Sequence, residues 1–398
     1  MESSVIKRSH RGPVEKLPLA VIGDILSRVG VARDVLRASL TCRKWREAFR
    51  KHLHTLSFDV FDDEPFYSEL PTAELEVLIT KTLFQTTNVR KLSLLMIDKH
   101  KFSAGSVVAW LLFVRETLLE LLYRVRTSRG ITSFNVLDIC GRQKLETLTL
   151  FDYRINEVEP NFQRFPCLTS LSLCRVQISV DKLNPLLSAF PKLERLELSK
   201  PILRTRDDKV RSHDMMLKLH CPTFKSLILN ELKQLEFILE DSFIECVDVY
   251  QRFFGLFKVS GGKKLRHFKF FKSEAHFLDF EEGGNLEVLE CIACHVLHSN
   301  LFPMKIHAPK LKTLRVWGFS EQPDFGFDIE ELIHDRPFAT VDFDQIAARL
   351  PELKHLAVFC FDDVDFCYTL GGLCSLENVV LLELGWKYFN NWEYFDSF

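Results

Sequence analysis

The sequence lacks any apolar run long enough to cross a membrane. The longest run, Val107 to Val114, has eight residues, whereas a membrane-spanning helix needs about 20. The N-terminal stretch MESSVIKRSHRGPVEK contains basic residues but lacks the apolar segment of a secretory signal. We therefore expect a soluble, intracellular protein with no membrane partner, in the cytoplasm, the nucleus or both.

The sequence also lacks a cysteine framework and a strong net charge. Its 11 cysteines are an odd number, scattered from Cys42 to Cys374, so we expect reduced thiols rather than a set of disulfides. The 52 Lys and Arg residues nearly balance the 54 Asp and Glu residues, which leaves a net charge of −2. A chain without a basic excess has no field to gather nucleic acid, and we expect no nucleic-acid partner.

Catalytic and metal-binding motifs are absent as well. Residues 261–264 (GGKK) lack the spacing of a phosphate-binding loop. The strongest signal for a cofactor is residues 291–298 (CIACHVLH), which contain the C-x-x-C-H pattern of haem attachment. Their two cysteines and two histidines could also be half of a zinc site. The same residues fit the end of a leucine-rich repeat, in which Cys291 points into the core and Cys294 occupies a turn. We therefore predict a non-enzymatic protein with no catalytic residue, no metal and no cofactor.

Three short helical patterns follow one another near the N-terminus with almost no linker. The first runs from Pro18 to about Val29 and stops at Gly30, the second covers about residues 32–40, and the third covers about residues 42–51. A bundle of about 35 residues is smaller than most independently stable domains. It also has more apolar side chains than so small a bundle can bury. Part of its surface is therefore predicted to bind another protein.

The same stretch resembles the F-box motif. The resemblance rests on Leu17-Pro18, Ile22, Ile25-Leu26, Val29, residues 34–36 (DVL), Leu40 and residues 42–46 (CRKWR), with Val29 standing where leucine is commoner. It implies docking on the SKP-type adaptor of a cullin-based (SCF) ubiquitin ligase. The adaptor-contacting residues implied by it, some of which must instead form the bundle's own core, are Leu17, Pro18, Ile22, Ile25, Leu26, Leu36, Leu40 and Trp45.

The rest of the chain repeats one pattern, apolar-x-x-apolar-x-apolar. The last two apolar residues are two apart, as in a strand, and most repeats are 20–31 residues long, which is typical of leucine-rich repeats. A proline precedes five of the triplets by two residues and predicts the corner that leads into the strand. The first residues of the fifteen triplets are Leu53, Val89, Leu118, Phe134, Leu145, Leu168, Leu193, Phe224, Ile244, Leu265, Ala275, Leu286, Leu311, Leu353 and Val379.

These patterns predict an α/β fold. We expect a disordered tail (1–14), a three-helix F-box (15–54) and a right-handed leucine-rich-repeat solenoid (55–398) with concave strands and convex helices. Ser103, Ser179 and Asp342 are candidate caps of three such helices. An F-box followed directly by repeats resembles the F-box/LRR family, most of all its plant members. In that family the F-box binds the ligase and the repeats hold the target.

The repeats are interrupted at two places that are candidate target-binding loops. One is an acidic and aromatic insertion near residues 318–344, with Phe325 and Phe327, and the other is a charged run with Arg204 and Arg206. Insertions in a solenoid tend to gather on its binding face.

The sequence thus favours a substrate-recognition subunit of an SCF-type ubiquitin ligase, with a SKP-type adaptor, a cullin and an unknown target protein as partners. Two alternatives remain open. One is an interaction scaffold outside any ligase, and the other is a sensor that holds a small molecule or hormone on the concave face.

Overall fold

The computed structural model shows a chain whose residues form two compact units. The first unit comprises residues 1–151 and 163–168, and the second comprises residues 152–162 and 169–398. The structure describes residues 16–59, 66–128, 136–141, 144–155, 165–204, 216–220, 222–232, 235–240, 243–250, 254–259, 264–271, 274–280, 285–292, 295–299, 309–317, 327–333, 336–341, 346–348, 350–360, 365–368 and 375–386.

The first unit opens with three helices, which confirms the three helical patterns predicted near the N-terminus. They are α1 (Leu19–Val29), α2 (Ala32–Thr41) and α3 (Arg43–His52). Gly30 ends α1 with a φ of 67°, a left-handed conformation that glycine adopts without steric cost, and its N–H donates to the Leu26 carbonyl at 3.0 Å. The fully buried apolar residues of the bundle are Ile22, Leu26, Ala32, Val35, Ala48 and Phe49.

After the bundle, the first unit alternates strands with helices. Its further helices are α4 (Phe66–Glu69), α5 (Thr72–Phe84), α6 (Ala104–Val114) and α7 (Val136–Cys140). Its strands are β1 (Thr55–Asp59), β2 (Lys91–Leu95), β3 (Lys101–Phe102), β4 (Glu120–Arg124), β5 (Arg126–Thr127) and β6 (Thr147–Phe151). Strands β1, β2, β4 and β6 pair in parallel in that order. Over the described ranges, no helix has the length and apolar character of a membrane span.

The second unit is dominated by strands, and its helix α8 spans Val180–Ser188. Nine of its strands form a parallel ladder in chain order, β7-β9-β12-β14-β16-β18-β20-β23-β25, here called the main sheet. The strands of the unit are β7 (Ser170–Cys174), β8 (Gln177–Ser179), β9 (Arg195–Ser199), β10 (Ile202–Arg204), β11 (Met216–His220), β12 (Ser226–Asn230), β13 (Leu235–Glu240), β14 (Cys246–Tyr250), β15 (Phe254–Val259), β16 (His267–Phe271), β17 (Glu274–Phe280), β18 (Val288–Ile292), β19 (His295–Ser299), β20 (Thr313–Trp317), β21 (Phe327–Ile333), β22 (Arg336–Val341), β23 (His355–Cys360), β24 (Asp365–Tyr368) and β25 (Leu381–Trp386).

The parallel strands in chain order confirm the predicted α/β repeat fold. Thirteen of the fifteen triplets lie on the ladders of the two units, and equivalent apolar residues pair across neighbouring strands, as Leu92 does with Leu121 and Val247 with Phe268. The five predicted proline corners are confirmed as turn residues that precede a strand: Pro166, Pro191, Pro222, Pro309 and Pro351.

One triplet was assigned wrongly, and one predicted strand belongs to a different sheet. Leu137 and Ile139, of the triplet that begins at Phe134, lie in helix α7 rather than in a strand, because apolar residues three apart also fit a helical turn. The triplet that begins at Ala275 does form a strand, β17, but this strand belongs to a separate five-stranded parallel sheet, β11-β13-β15-β17-β19.

This five-stranded sheet corrects the expectation that every repeat returns through a helix. Repeat length differs between the two units. In the first unit, successive equivalent residues are 36, 29 and 27 positions apart, at Leu56, Leu92, Leu121 and Leu148. In the second unit they are only 20, 21 and 21 positions apart, at Leu227, Val247, Phe268 and Leu289. A strand covers about 3.3 Å per residue and a helix only about 1.5 Å, so a short repeat spans its return more economically with a strand.

The close packing of α1 on α3 generates the first testable prediction. A Cβ atom on Gly23 would lie 2.5 Å from the His52 carbonyl oxygen, so Gly23→Ala should force the helices apart and lower the free energy of unfolding by about 1–3 kcal/mol. Urea unfolding followed by circular dichroism measures the change.

Gly105→Ala is the matched control for this substitution. Its added Cβ would meet only Ser103 Oγ, at 3.6 Å, within helix α6. Alanine should therefore be neutral there or stabilise by up to about 1 kcal/mol. Equal effects of the two substitutions would contradict the close-packing interpretation.

Candidate protein-binding surfaces

Helix α1 carries two apolar stripes that face in different directions. Ile22 and Leu26 are fully buried, whereas Val21, Ile25 and Val29 are 40%, 37% and 46% exposed. Val21, Ile25 and Val29 are four residues apart along the helix, so they align on one face, here called the outer stripe. Three aligned branched apolar side chains at the surface form an exposed apolar patch, and such patches are candidates for docking a protein partner.

The predicted adaptor-binding residues divide between the interior and the surface. Ile22 and Leu26 lie in the bundle core, where they hold α1 in place rather than present a contact surface. Adaptor contacts of the other residues stay a prediction. Of these, Pro18, Ile25 and Leu40 are exposed, and Leu17, Leu36 and Trp45 are half-buried.

Val21 and Val29 were missing from the predicted contact residues. The signal that identifies them is their four-residue spacing with Ile25, which separates an outer stripe from the inner one formed by Ile22 and Leu26. The predicted contact residues include members of both stripes, because the sequence prediction treated α1 as a helix with a single apolar face.

The bundle is hydrogen-bonded to the first repeat of its unit. The Ser57 N–H donates to the Gly30 carbonyl at 2.8 Å, and the His54 N–H donates to Ser27 Oγ at 2.8 Å. The Arg33 N–H at the start of α2 donates to the Tyr67 hydroxyl at 2.8 Å, and α2 has no capping side chain of its own. Tyr67 therefore supplies from helix α4 the acceptor that α2 lacks.

Burial also fixes the protonation state of this hydroxyl. It raises the pKa of Tyr67 to about 12, while the hydrogen bond from Arg33 acts in the opposite direction. The side chain therefore stays neutral throughout the physiological range, and α2 is capped by a phenol rather than by a phenolate.

The second candidate surface is the outward face of the main sheet in the second unit. Along β14 and β16, alternate residues point inward to the core and outward to this strand face. The register aligns the third residue of each strand in one line, here called the central row. From β14 to β20 the central row reads Asp248, Lys269, Glu290 and Arg315.

Glu290 forms ion pairs with two cations of the central row. Its carboxylate lies 3.1 Å from Lys269 Nζ and 3.1 Å from an Arg315 terminal nitrogen, and the residue is only 9% exposed. Charge-assisted hydrogen bonds at this burial are stronger than those of exposed pairs. Lys269 and Arg315 are thus already engaged within the sheet.

Asp248 differs from Glu290 in having no comparable partner. Within the described residues its carboxylate has no ion pair, and its hydrogen-bond partner is the weakly donating Cys246 Sγ at 3.9 Å. Burial raises the pKa of Asp248, and Lys269 partly opposes this effect. Two residues further along their strands, the rings of Tyr250 and Phe271 lie beside the row with centroids 5.6 Å apart.

A further charged row precedes the strands and is largely self-compensated. It alternates in sign as Glu194, Lys225, Glu245, Arg266, Glu287 and Lys312. Lys225 lies 2.6 Å from Glu194, and Lys312 lies 2.9 Å from Glu287. Exposed pairs of this kind contribute little stability each, but opposite charges on neighbouring strands favour one register.

The predicted target-binding loops are only partly described. Arg204 is exposed at the end of β10, whereas Arg206 and Phe325 lie outside the described residues. Phe327 begins β21, which pairs antiparallel with β22, so part of the insertion near 318–344 is a pair of strands. A role of these residues in target binding stays a prediction.

The C-x-x-C-H signal spans two strands. Cys291 lies on β18 of the main sheet, as the repeat interpretation predicted, and His295 and His298 lie on β19 of the five-stranded sheet. Cys291 is buried on β18, and burial raises the pKa of its thiol to about 12. Cys294 lies outside the described residues. Across the described part of the chain, no three His, Cys, Asp or Glu side chains are grouped as metal ligands.

Comparison with known proteins gives two family matches. A family model described as F-box-like matches residues 14–55. A second model, described as "FBD-associated F-box protein At5g56370, LRR repeats", matches residues 107–282. The matches therefore fall on the three-helix bundle and on the repeats.

Two curated relatives come from Arabidopsis thaliana. F-box/LRR-repeat protein At1g67190 is 44% identical over 380 residues, which cover 95% of this chain and 85% of the relative. F-box protein At1g10780 is 26% identical over 213 residues, which cover 52% of this chain and 48% of that protein.

The cap on α2 generates a prediction about stability. Tyr67→Phe removes the acceptor and leaves a helix N-terminal N–H unpaired, so it should lower the free energy of unfolding by about 0.5–2 kcal/mol, as measured by urea unfolding. Tyr250→Phe is the control, because the Tyr250 hydroxyl has no hydrogen bond to the described residues. An equal loss in both variants would contradict the capping role.

The raised pKa of Asp248 generates a prediction about pH. Ionising this carboxylate costs stability, because burial outweighs the attraction of Lys269 and His267, and Glu290 adds repulsion. The cost is absent below the ordinary pKa of 3.8, grows as the pH rises towards the raised value, and is complete above it. Asp248→Asn should therefore raise the Tm relative to the parent at pH 7, with a difference that shrinks towards pH 4.

Glu383→Gln is the control for this measurement. It removes a carboxylate from the same register position on β25, but one that has a partner, His355 Nε2 at 3.7 Å, so it should not raise the Tm at pH 7. Thermal unfolding monitored by circular dichroism between pH 4 and pH 7 compares the three proteins. A lower Tm for Asp248→Asn at pH 7, or a pH-independent difference, would contradict the assignment of an unfavourable charge.

Proposed function

The chain belongs to the F-box/LRR-repeat protein family, and on this premise we propose that it is the substrate-recognition subunit of an SCF-type ubiquitin ligase. In this proposal the F-box binds a SKP-type adaptor, which links the chain to a cullin. The repeats bind the target protein. The subunit itself is non-catalytic and acts in the cytoplasm or nucleus.

The observation that carries the proposal is the outer stripe of α1. Val21, Ile25 and Val29 are exposed within residues 14–55, the range matched by the F-box-like family model. Burial of one such side chain against a partner contributes about 1.5–3 kcal/mol. Together with exposed Leu40, the stripe offers enough apolar surface for a specific helical partner.

The close packing beneath the stripe supports the same role. Gly23 brings α1 against α3, and the hydrogen bonds of Ser27 and Gly30 hold the bundle against the residues before and within β1. The stripe is therefore preformed, so that an adaptor need not order it on binding. Preorganised surfaces lose less affinity to ordering than flexible ones.

Target binding is assigned to the strand face of the second unit and to the adjoining loop candidates. The strand face presents a row of charges beside aromatic rings, which suits the recognition of a protein segment. Arg204, Arg206, Phe325 and Phe327 remain the loop candidates for additional target contacts.

Pull-down of the purified full chain with a SKP-type adaptor tests the proposal. The parent should retain the adaptor, and Ile25→Asp should weaken binding by about tenfold or more, because it places a charge within the buried interface. Leu112→Asp is the matched control, since Leu112 is an exposed leucine of α6 outside the F-box. Circular dichroism confirms that both variants are folded.

Two results would contradict the proposal. The first is a parent chain that fails to bind the adaptor. The second is an equal loss of binding in Ile25→Asp and Leu112→Asp, which would assign the effect to general surface apolarity rather than to the outer stripe.

A further inference from the structure

The charged side chains on the strand face of the second unit differ in whether they have an ion-pair partner. Lys269 and Arg315 share the carboxylate of Glu290, each at 3.1 Å, so both cations have an ion-pair partner. Asp248 occupies the next place in the row, where the described residues offer it a thiol at 3.9 Å and no cation within ion-pair distance. Between β14 and β20, Asp248 is therefore the one anion of the central row that has no ion pair within the described residues.

Apolar rings flank this anion on the open side of the sheet. Tyr250 lies two residues after Asp248 on β14 and is 39% exposed, and Phe271 lies beside it on β16, with ring centroids 5.6 Å apart. Residues two apart on a strand share a face and are about 6.6 Å apart. A cation bound at Asp248 thus comes within the range of about 6 Å over which it interacts with an aromatic face.

We propose that Asp248, Tyr250 and Phe271 form a subsite that receives a lysine or arginine side chain of the target protein. The proposal deepens the proposed function and rests on it, because it specifies the chemistry of the segment that the repeats hold. In the complex, Asp248 accepts the charged hydrogen bond of the basic side chain, and the two rings cover its aliphatic stem.

The arrangement disfavours an acidic group at the same place. An anion would meet repulsion from Asp248, and to reach Lys269 it would have to displace Glu290 from an ion pair. A basic side chain breaks no existing pair, and it supplies the half-buried carboxylate with the partner that it lacks. Discrimination of this kind combines an attraction for one partner with a repulsion of the other.

The described strands of the first unit have no equivalent of this subsite. The matching positions of its ladder are Ser57, Ser93, Leu122 and Thr149, none of which carries a charge. An unpaired anion is therefore not a general property of the repeat. In the second unit, Glu197 occupies the same row on β9 and also has no ion pair among the described residues. The two rings beside Asp248 distinguish its location on the strand face.

Selection of displayed peptides on the purified full chain tests the proposal. The probe is a phage library of random twelve-residue peptides, selected on the parent chain in low-salt buffer and depleted on Asp248→Asn. Peptides retained by the parent should be enriched in lysine or arginine beside an apolar residue. Enrichment in acidic residues, or no common feature, would overturn the proposal.

A thermodynamic cycle then locates the contact. A selected peptide and its counterpart with the basic residue changed to glutamine are titrated against the parent and Asp248→Asn by fluorescence anisotropy. On the parent the change should weaken binding by about tenfold or more, and on Asp248→Asn it should have little effect. Equal losses on both proteins would overturn the proposal, because the basic residue would then bind elsewhere.

Two further variants complete the experiment. Asp248→Glu keeps the charge and should retain the preference for the basic peptide, whereas Glu383→Gln, at the same register position on β25, should bind like the parent. A loss in Glu383→Gln equal to that in Asp248→Asn would overturn the assignment to Asp248. Because the selection does not involve the F-box, its failure alongside successful adaptor binding would refute the subsite alone.

Discussion

The main sheet of the repeat region depends on the register of a parallel ladder. A single strand of five or six residues buries only two or three side chains on its inner side, so it is stable only when neighbouring strands place equivalent residues beside them. The pairing of Val247 with Phe268 and of Phe268 with Leu289 shows this alignment. The same register necessarily aligns the outward residues, so that core packing also determines which charges become neighbours on the strand face.

The electrostatic environment of each charged side chain on this face therefore depends on its neighbours rather than on the net charge of the chain. The chain has a net charge of only −2, yet Glu290 lies between two cations while Asp248 is left with a thiol. A half-buried carboxylate without a cation reduces stability, and residues that reduce stability are found most often where a protein binds or reacts. Local pairing, rather than composition, distinguishes Asp248 from Glu290, the other acidic residue of the central row between β14 and β20.

The sequence was sufficient to predict the three helices, most of the strands and all five proline corners, because each depends on local spacing. It could not distinguish a helix from a strand where the same pattern of apolar residues fits both. Leu137 and Ile139 are an example, because their triplet predicted a strand and they lie in helix α7. It also left the contacts of Asp248 undetermined, since these depend on which residues the register brings alongside. The two stripes of α1 were predictable in principle, because Ile22 and Ile25 lie on different faces of any regular helix.

Repeat length has a consequence for how such a chain tolerates insertions and deletions. Repeats of 20 or 21 residues in the second unit return through a strand, and the repeats of 27 to 36 residues in the first unit return through a region that contains a helix. Both kinds leave the register of the ladder unchanged. A gain or loss of several residues between two strands can therefore exchange the outer layer of a repeat without altering the residues of the strand face. Repeat length can therefore change in evolution while the residues of the strand face are retained.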